Sequence, residues 1–131
     1  MILYRMSKKY KQLEKAECIA LKQYIEWKMP DIYKSFFHIP SGGKRNLIEA
    51  INFKRMGVKP GIADYFLMIS NKSYHGLWLE MKYGDNKLTE NQIEFRDLAI
   101  TRGYDYKIAY TCEEAIDIIT HYLLDQQEEK K

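Results

Sequence analysis

Gly76-Leu77-Trp78-Leu79-Glu80-Met81-Lys82-Tyr83 is a run of aromatic and apolar residues long enough to cross a sheet once. Side chains alternate along a strand, so Glu80 and Lys82 share one face while Leu79 and Met81 take the other. A carboxylate and an ammonium therefore stand side by side on a rigid surface. Upstream, Asp64 opens a second apolar run, residues 64–69, and the Pro60-Gly61 pair just before it specifies a type II turn. Ser70-Asn71-Lys72-Ser73 joins the two runs in the manner of a hairpin. The two strands should be antiparallel neighbours, with Asp64 and Glu80 at the same end of the sheet.

The flanking segments read as a frame for this pair. Residues 7–29 have helical spacing: at about 100° per residue, Tyr10, Leu13, Ala20, Leu21 and Tyr24 form one stripe, with Glu17 in its middle. Glu17 is then either a partly buried acid paired with a lysine or a carboxylate aimed into a site. Pro30 stops that helix. Residues 33–39 read as a strand around Phe36-Phe37, followed by the basic loop Pro40-Ser41-Gly42-Gly43-Lys44-Arg45, which is either an ordinary polar turn or a backbone surface for phosphate. Its glycine spacing is not that of a P-loop.

Asn46 can cap a second helix with Leu47, Ile48, Ala50, Ile51 and Phe53 as its apolar face and Gly57 at the C′ position. Lys54 and Arg55 near its end complement the helix dipole and equally suit DNA contact. Thr89 and Gln92 have capping-box spacing at the head of a third helix carrying Ile93, Phe95, Leu98, Ala99 and Ile100, closed by Gly103. Gln92 thus has a structural explanation beside a functional one. Residues 106–110 form a further strand, Thr111 caps a last helix to about Leu124, and residues 126–131 are a polar tail. The order αβαββαβα predicts an α/β domain over residues 1–125, a central mixed sheet flanked by helices.

Composition bounds the function more loosely. A chain of 131 residues that is 46% hydrophobic suits one domain with its own core. A net charge of +3 is compatible with a phosphate-bearing partner without requiring one. Cys18 and Cys112 are far apart and belong to no paired motif, which disfavours a disulfide framework or a zinc knuckle. His38, His75 and His121 lack paired zinc spacing, and His38 reads as a strand-end histidine rather than a general base. With no signal-peptide pattern and no span-length apolar run, the expected location is the cytoplasm.

Two rigid carboxylates suit Mg²⁺, a hard cation that takes one or two protein carboxylates and keeps several waters. A backbone carbonyl such as that of Met81 could join the shell, and a lysine beside the metal water can orient it or offset phosphate charge. Those are the requirements of phosphodiester hydrolysis. A bare Glu-x-Lys is common as an ion pair; the ordered set of Asp, hairpin, Glu-x-Lys and Gln is far more specific.

On the residues Gly57-Val58-Lys59-Pro60-Gly61-Ile62-Ala63-Asp64, Leu77-Trp78-Leu79-Glu80-Met81-Lys82, Leu88-Thr89-Glu90-Asn91-Gln92 and Ile39-Pro40-Ser41-Gly42-Gly43-Lys44-Arg45, the chain resembles the VRR-NUC branch of the PD-(D/E)XK nucleases, from about Glu17 to Ile119. The resemblance implies a restriction-endonuclease-like fold. It implies that Asp64 and Glu80 hold Mg²⁺ or Mn²⁺, that Lys82 acts on the nucleophilic water, and that Glu17 and Gln92 complete the site. Ala63 stands where the superfamily's name has proline, which bears on loop rigidity more than on chemistry. Stand-alone, often phage-borne members are similar in acting as homodimers on four-way DNA junctions, so a junction-resolving DNA endonuclease is the expected function. The alternatives are a monomeric nickase or flap nuclease and a non-catalytic nucleic-acid-binding module. Lys44, Arg45, Lys54, Arg55, Lys59 and Lys87 are the expected phosphate contacts.

Overall fold

The computed structural model describes residues 2–40 and 46–125, with side chains from Lys15 onward. The elements run α1 (Ile2–Lys28), α2 (Pro30–Tyr33), β1 (Phe36–His38), α3 (Leu47–Arg55), β2 (Tyr65–Leu67), β3 (Leu77–Met81), α4 (Glu90–Thr101), β4 (Asp105–Ala109) and α5 (Cys112–Leu124). The expected order is present with one addition. Pro30 ends α1, and it also opens the short α2, because a proline at a first helical position gives up only an N–H that has no partner there anyway.

The sheet is mixed and its strand order is β1-β2-β3-β4. β1 to β3 form an antiparallel meander, and β4 lies parallel to β3 after the crossover through α4. Alternation along β3 sorts its side chains as expected. Leu77, Leu79 and Met81 enter the main core with Leu21 and Ile25 of α1 and Ala115 and Ile119 of α5. Trp78, Glu80 and Lys82 face α4, where Trp78 meets Phe95 edge-on at 4.9 Å. The connection from β2 to β3 is tied down by buried Asn71. Its side chain accepts from Ser73 N and Tyr74 N and donates to the Tyr122 carbonyl of α5.

The buried helix faces differ from the expected ones. In α1 the inward line is Leu21 and Ile25 with half-buried Cys18, while Ala20 and Tyr24 are exposed; Tyr10 and Leu13 lie outside the residues whose side chains are described. In α4 the inward line is Gln92, Phe95, Arg96 and Ala99, and Ile93, Leu98 and Ile100 turn outward. Its i, i+3, i+4, i+7 spacing includes two polar residues beside Phe95 and Ala99, so a count of apolar positions alone does not pick it out. In α3, capped by Asn46 as expected, no residue is buried, and Leu47 and Ile48 are 76% and 71% exposed. Phe53 is half-buried against the Pro60-Gly61 segment, while Leu47, Ile48 and Ile51 face outward.

Candidate active site

The turn at Pro60-Gly61 sets the first site residue. Gly61 has φ +85°, and a Cβ there would come within 2.6 Å of the Asn91 backbone in the first turn of α4. This close approach locks the segment leading to Asp64 against the helix that carries Gln92. The antiparallel register pairs Tyr65 with Leu79, so one residue further Asp64 stands opposite Glu80. Asp64 Oδ2 accepts from Met81 N at 2.7 Å, which fixes the carboxylate across the strand end. Burial pushes the Asp64 carboxyl above its ordinary value, against the Met81 N–H and the positive charges of His38 and Lys82, which pull it down.

Glu80 and Lys82 are almost fully buried, at 4% and 9% exposure, with Lys82 Nζ 3.9 Å from Glu80 Oε1. Burying both charges is costly unless further hydrogen bonds hold them. Gln92 provides those bonds. Its Oε1 accepts from Lys82 Nζ at 2.6 Å, and its Nε2 donates to Glu80 Oε1 at 3.1 Å. Only this orientation of the amide meets an ammonium with oxygen and a carboxylate with N–H. The same Oε1 accepts from Thr89 N at 2.9 Å, and Thr89 Oγ1 accepts from Gln92 N at 3.2 Å, which completes the capping box. The cap thus orients the side chain that spans the ion pair, and the structural explanation of Gln92 leaves room for the functional one.

Of the expected site residues, Asp64, Glu80, Lys82 and Gln92 converge at the carboxyl end of β3, with Met81 between them. Glu17 Oε2 accepts from Cys112 N at the first turn of α5, where a helix N-terminus favours negative charge. Among the described residues no group of three or more His, Cys, Asp and Glu side chains gathers around one point. Lys54 and Lys59 line a groove of about 700 Å³ between α3 and the Pro60-Gly61 turn, while Arg55 and Lys87 are exposed. Lys44 and Arg45 lie outside the described residues. His38 is a strand-end residue as expected, but its ring is closer to the site than the sequence suggests, with Nδ1 3.0 Å from the Asp64 carbonyl oxygen. Only the β1–β2 register, which pairs His38 with Tyr65, reveals that proximity.

Two carboxylates at one end of adjacent strands, both withdrawn from water, form an all-oxygen donor set of the kind a hard divalent cation takes. Asp64 would offer Oδ1, since Oδ2 is engaged by Met81 N.

No family model matches the chain, and no curated protein matches it. A solved structure described as a VRR_NUC domain protein superposes on it with a TM-score of 0.77 and 26% sequence identity, over 88% of this chain and 91% of that one. The likeness covers most of the chain and supports the resemblance drawn from the motifs. The chain has a VRR-NUC-type α/β nuclease fold. No described helix is long and apolar enough to cross a membrane.

Proposed function

We propose, from a VRR-NUC-type fold with Asp64, Glu80, Lys82 and Gln92 at one strand end, that the chain is a divalent-metal-dependent DNA endonuclease that resolves four-way junctions as a homodimer. The observation that carries the hydrolytic reading is the buried Glu80–Gln92–Lys82 network beside Asp64. A surface ion pair needs no such burial and no third residue to brace it.

Asp64, Glu80 and the Met81 carbonyl would hold Mg²⁺ or Mn²⁺. The bound ion supplies Lewis-acid stabilisation of phosphate charge and a more acidic water. Lys82 has three N–H donors, and one is spent on Gln92. The remaining donors can face the attacking water or a phosphate oxygen, which is where charge develops. Gln92 keeps that ammonium in place before substrate arrives. Lys54, Arg55, Lys59 and Lys87, with Lys44 and Arg45, are the proposed phosphate contacts, giving affinity without reading bases.

The dimer reading draws support from the exposed apolar face of α3, where Leu47, Ile48 and Ile51 make a patch that a second copy could cover. Two symmetric sites suit paired incisions across a junction. Labelled four-way junction, flap and linear duplex, each incubated with Mg²⁺ and with chelator, test the proposal. Paired metal-dependent cuts at the junction support it. Binding without cleavage of any substrate in Mg²⁺ or Mn²⁺ overturns the nuclease reading. Sedimentation of DNA-bound protein as monomer alone, with flap or nick products, favours the monomeric nickase or flap enzyme.

A further inference from the structure

Tyr106 lies on β4 opposite Trp78, on the sheet face that carries Glu80 and Lys82. Two residues along the neighbouring strand, Glu80 is its diagonal neighbour on that face. The ring is held under α4 at 6.3 Å from Phe95, in the layer that Gln92 heads. Tyr106 is 7% exposed, and its hydroxyl is a buried polar atom with no hydrogen-bond partner among the described residues. A buried hydroxyl that makes no bond is a net cost to folding, and phenylalanine would fill the same space without it. The hydroxyl is also a permanent donor: burial, then the negative charges of Glu80 and Asp64, hold its pKa far above the ordinary tyrosine value, with Arg96 opposing.

We propose that Tyr106 is a positioning residue of the candidate metal site, its hydroxyl donating to the Glu80 carboxylate, directly or through one bound water, when that carboxylate turns to ligate the ion. The inference rests on the hydrolytic reading of Asp64 and Glu80. A second donor beside Gln92 would limit the rotation of Glu80 and so raise the affinity of the site for its cation, as the outer partners of ligating carboxylates generally do.

The test is Tyr106→Phe, which removes one oxygen and keeps the ring packing. Mn²⁺ binding without DNA is followed by electron paramagnetic resonance, junction cleavage is followed as a function of Mg²⁺ concentration, and thermal unfolding is followed in metal-free buffer. The expected result is Mn²⁺ affinity weakened about tenfold, slower cleavage that high Mg²⁺ largely restores, and an unfolding temperature unchanged or raised. Unchanged Mn²⁺ affinity overturns the inference, whether or not the variant melts lower, and so does a wild-type protein that binds no Mn²⁺. A wild type that binds Mn²⁺ in a Tyr106-dependent way yet cuts no substrate leaves this inference standing and removes the nuclease reading. A wild type that cuts, matched by the variant in both Mn²⁺ affinity and cleavage, does the reverse.

Discussion

Gln92 donates its side-chain N–H to Glu80 Oε1 at 3.1 Å, across the gap between the first turn of α4 and the last turn-out of β3. Its amide oxygen meanwhile receives both the Lys82 ammonium and the Thr89 backbone N–H. One side chain is therefore shared between a helix cap and a buried ion pair. The orientation of Lys82 depends on the start of a helix, and the two roles can be separated by substitution.

Thr89→Ala removes the hydroxyl that accepts from Gln92 N and leaves the Gln92 side chain in place. It should cost about 1 kcal/mol of stability, the usual value of an N-cap, with cleavage changed by no more than a few-fold. Gln92→Ala loses its half of the box together with both site bonds, and should lower stability similarly while slowing cleavage about 10- to 100-fold. Urea unfolding and single-turnover rates on the same preparations check both. Equal loss of rate in the two variants would show that Gln92 matters only as a cap.

Glu80→Gln and Lys82→Met keep side-chain size and remove charge. Each should reduce metal-dependent junction cleavage at least about 100-fold, since one loses a proposed ligand and the other the group facing the attacked phosphate. Junction binding at low salt should persist, because the proposed backbone contacts are made by other lysines and arginines. Gel-shift and cleavage assays read the two effects separately, and cleavage within a few-fold of wild type in either variant would remove that residue from the site.

Much of this site could be read from the sequence because local rules fix it. Alternation along β3 put Glu80 with Lys82, the hairpin put Asp64 at the same end of the sheet, and the Thr89–Gln92 spacing marked the head of α4. The helix faces were less legible. Gln92 and Arg96 occupy inward positions of α4 that apolar counting assigns to solvent, and Glu17 reaches across to Cys112, a contact between residues far apart in the chain. Tyr106 gave no signal at all, since a tyrosine in a strand is an ordinary core residue until its register beside Glu80 is known. The outward apolar face of α3 is the same kind of surprise: its helical period was plain, but nothing local says what it packs against.

Gly61 and Gly57 offer a matched pair for the turn that aims Asp64. Both have positive φ, +85° and +96°, but a Cβ at Gly57 meets nothing within 4 Å, whereas one at Gly61 meets the Asn91 backbone at 2.6 Å. Gly57→Ala should cost about 1 kcal/mol from backbone strain alone, with cleavage retained. Gly61→Ala adds a displacement of the first turn of α4, so it should cost about 1–3 kcal/mol more and slow cleavage by moving Gln92 relative to Asp64. Unfolding midpoints and rates for the two alanine variants decide this, and equal losses would mean the Gly61–Asn91 contact relaxes freely.

Alkaline stability follows from the buried tyrosines. Burial, then the charge of Asp105, pushes Tyr122 up to about 12, with the Asn71 contact opposing, and its hydroxyl donates to the Ile69 carbonyl at 2.6 Å. Tyr65 and Tyr106 are raised as well, chiefly by burial. Between the ordinary tyrosine value of about 10 and the folded value, the unfolded chain has released protons that the folded chain still holds, so stability must fall as pH rises through that window. Below it these groups contribute no slope. Tyr122→Phe should therefore flatten the decline without abolishing it, since Tyr65 and Tyr106 still titrate late. Urea unfolding between about pH 9 and about pH 11, with tyrosinate absorbance followed on the same samples, measures this. A decline as steep in Tyr122→Phe as in the wild type would mean that Tyr122 ionises at its ordinary value in the folded protein.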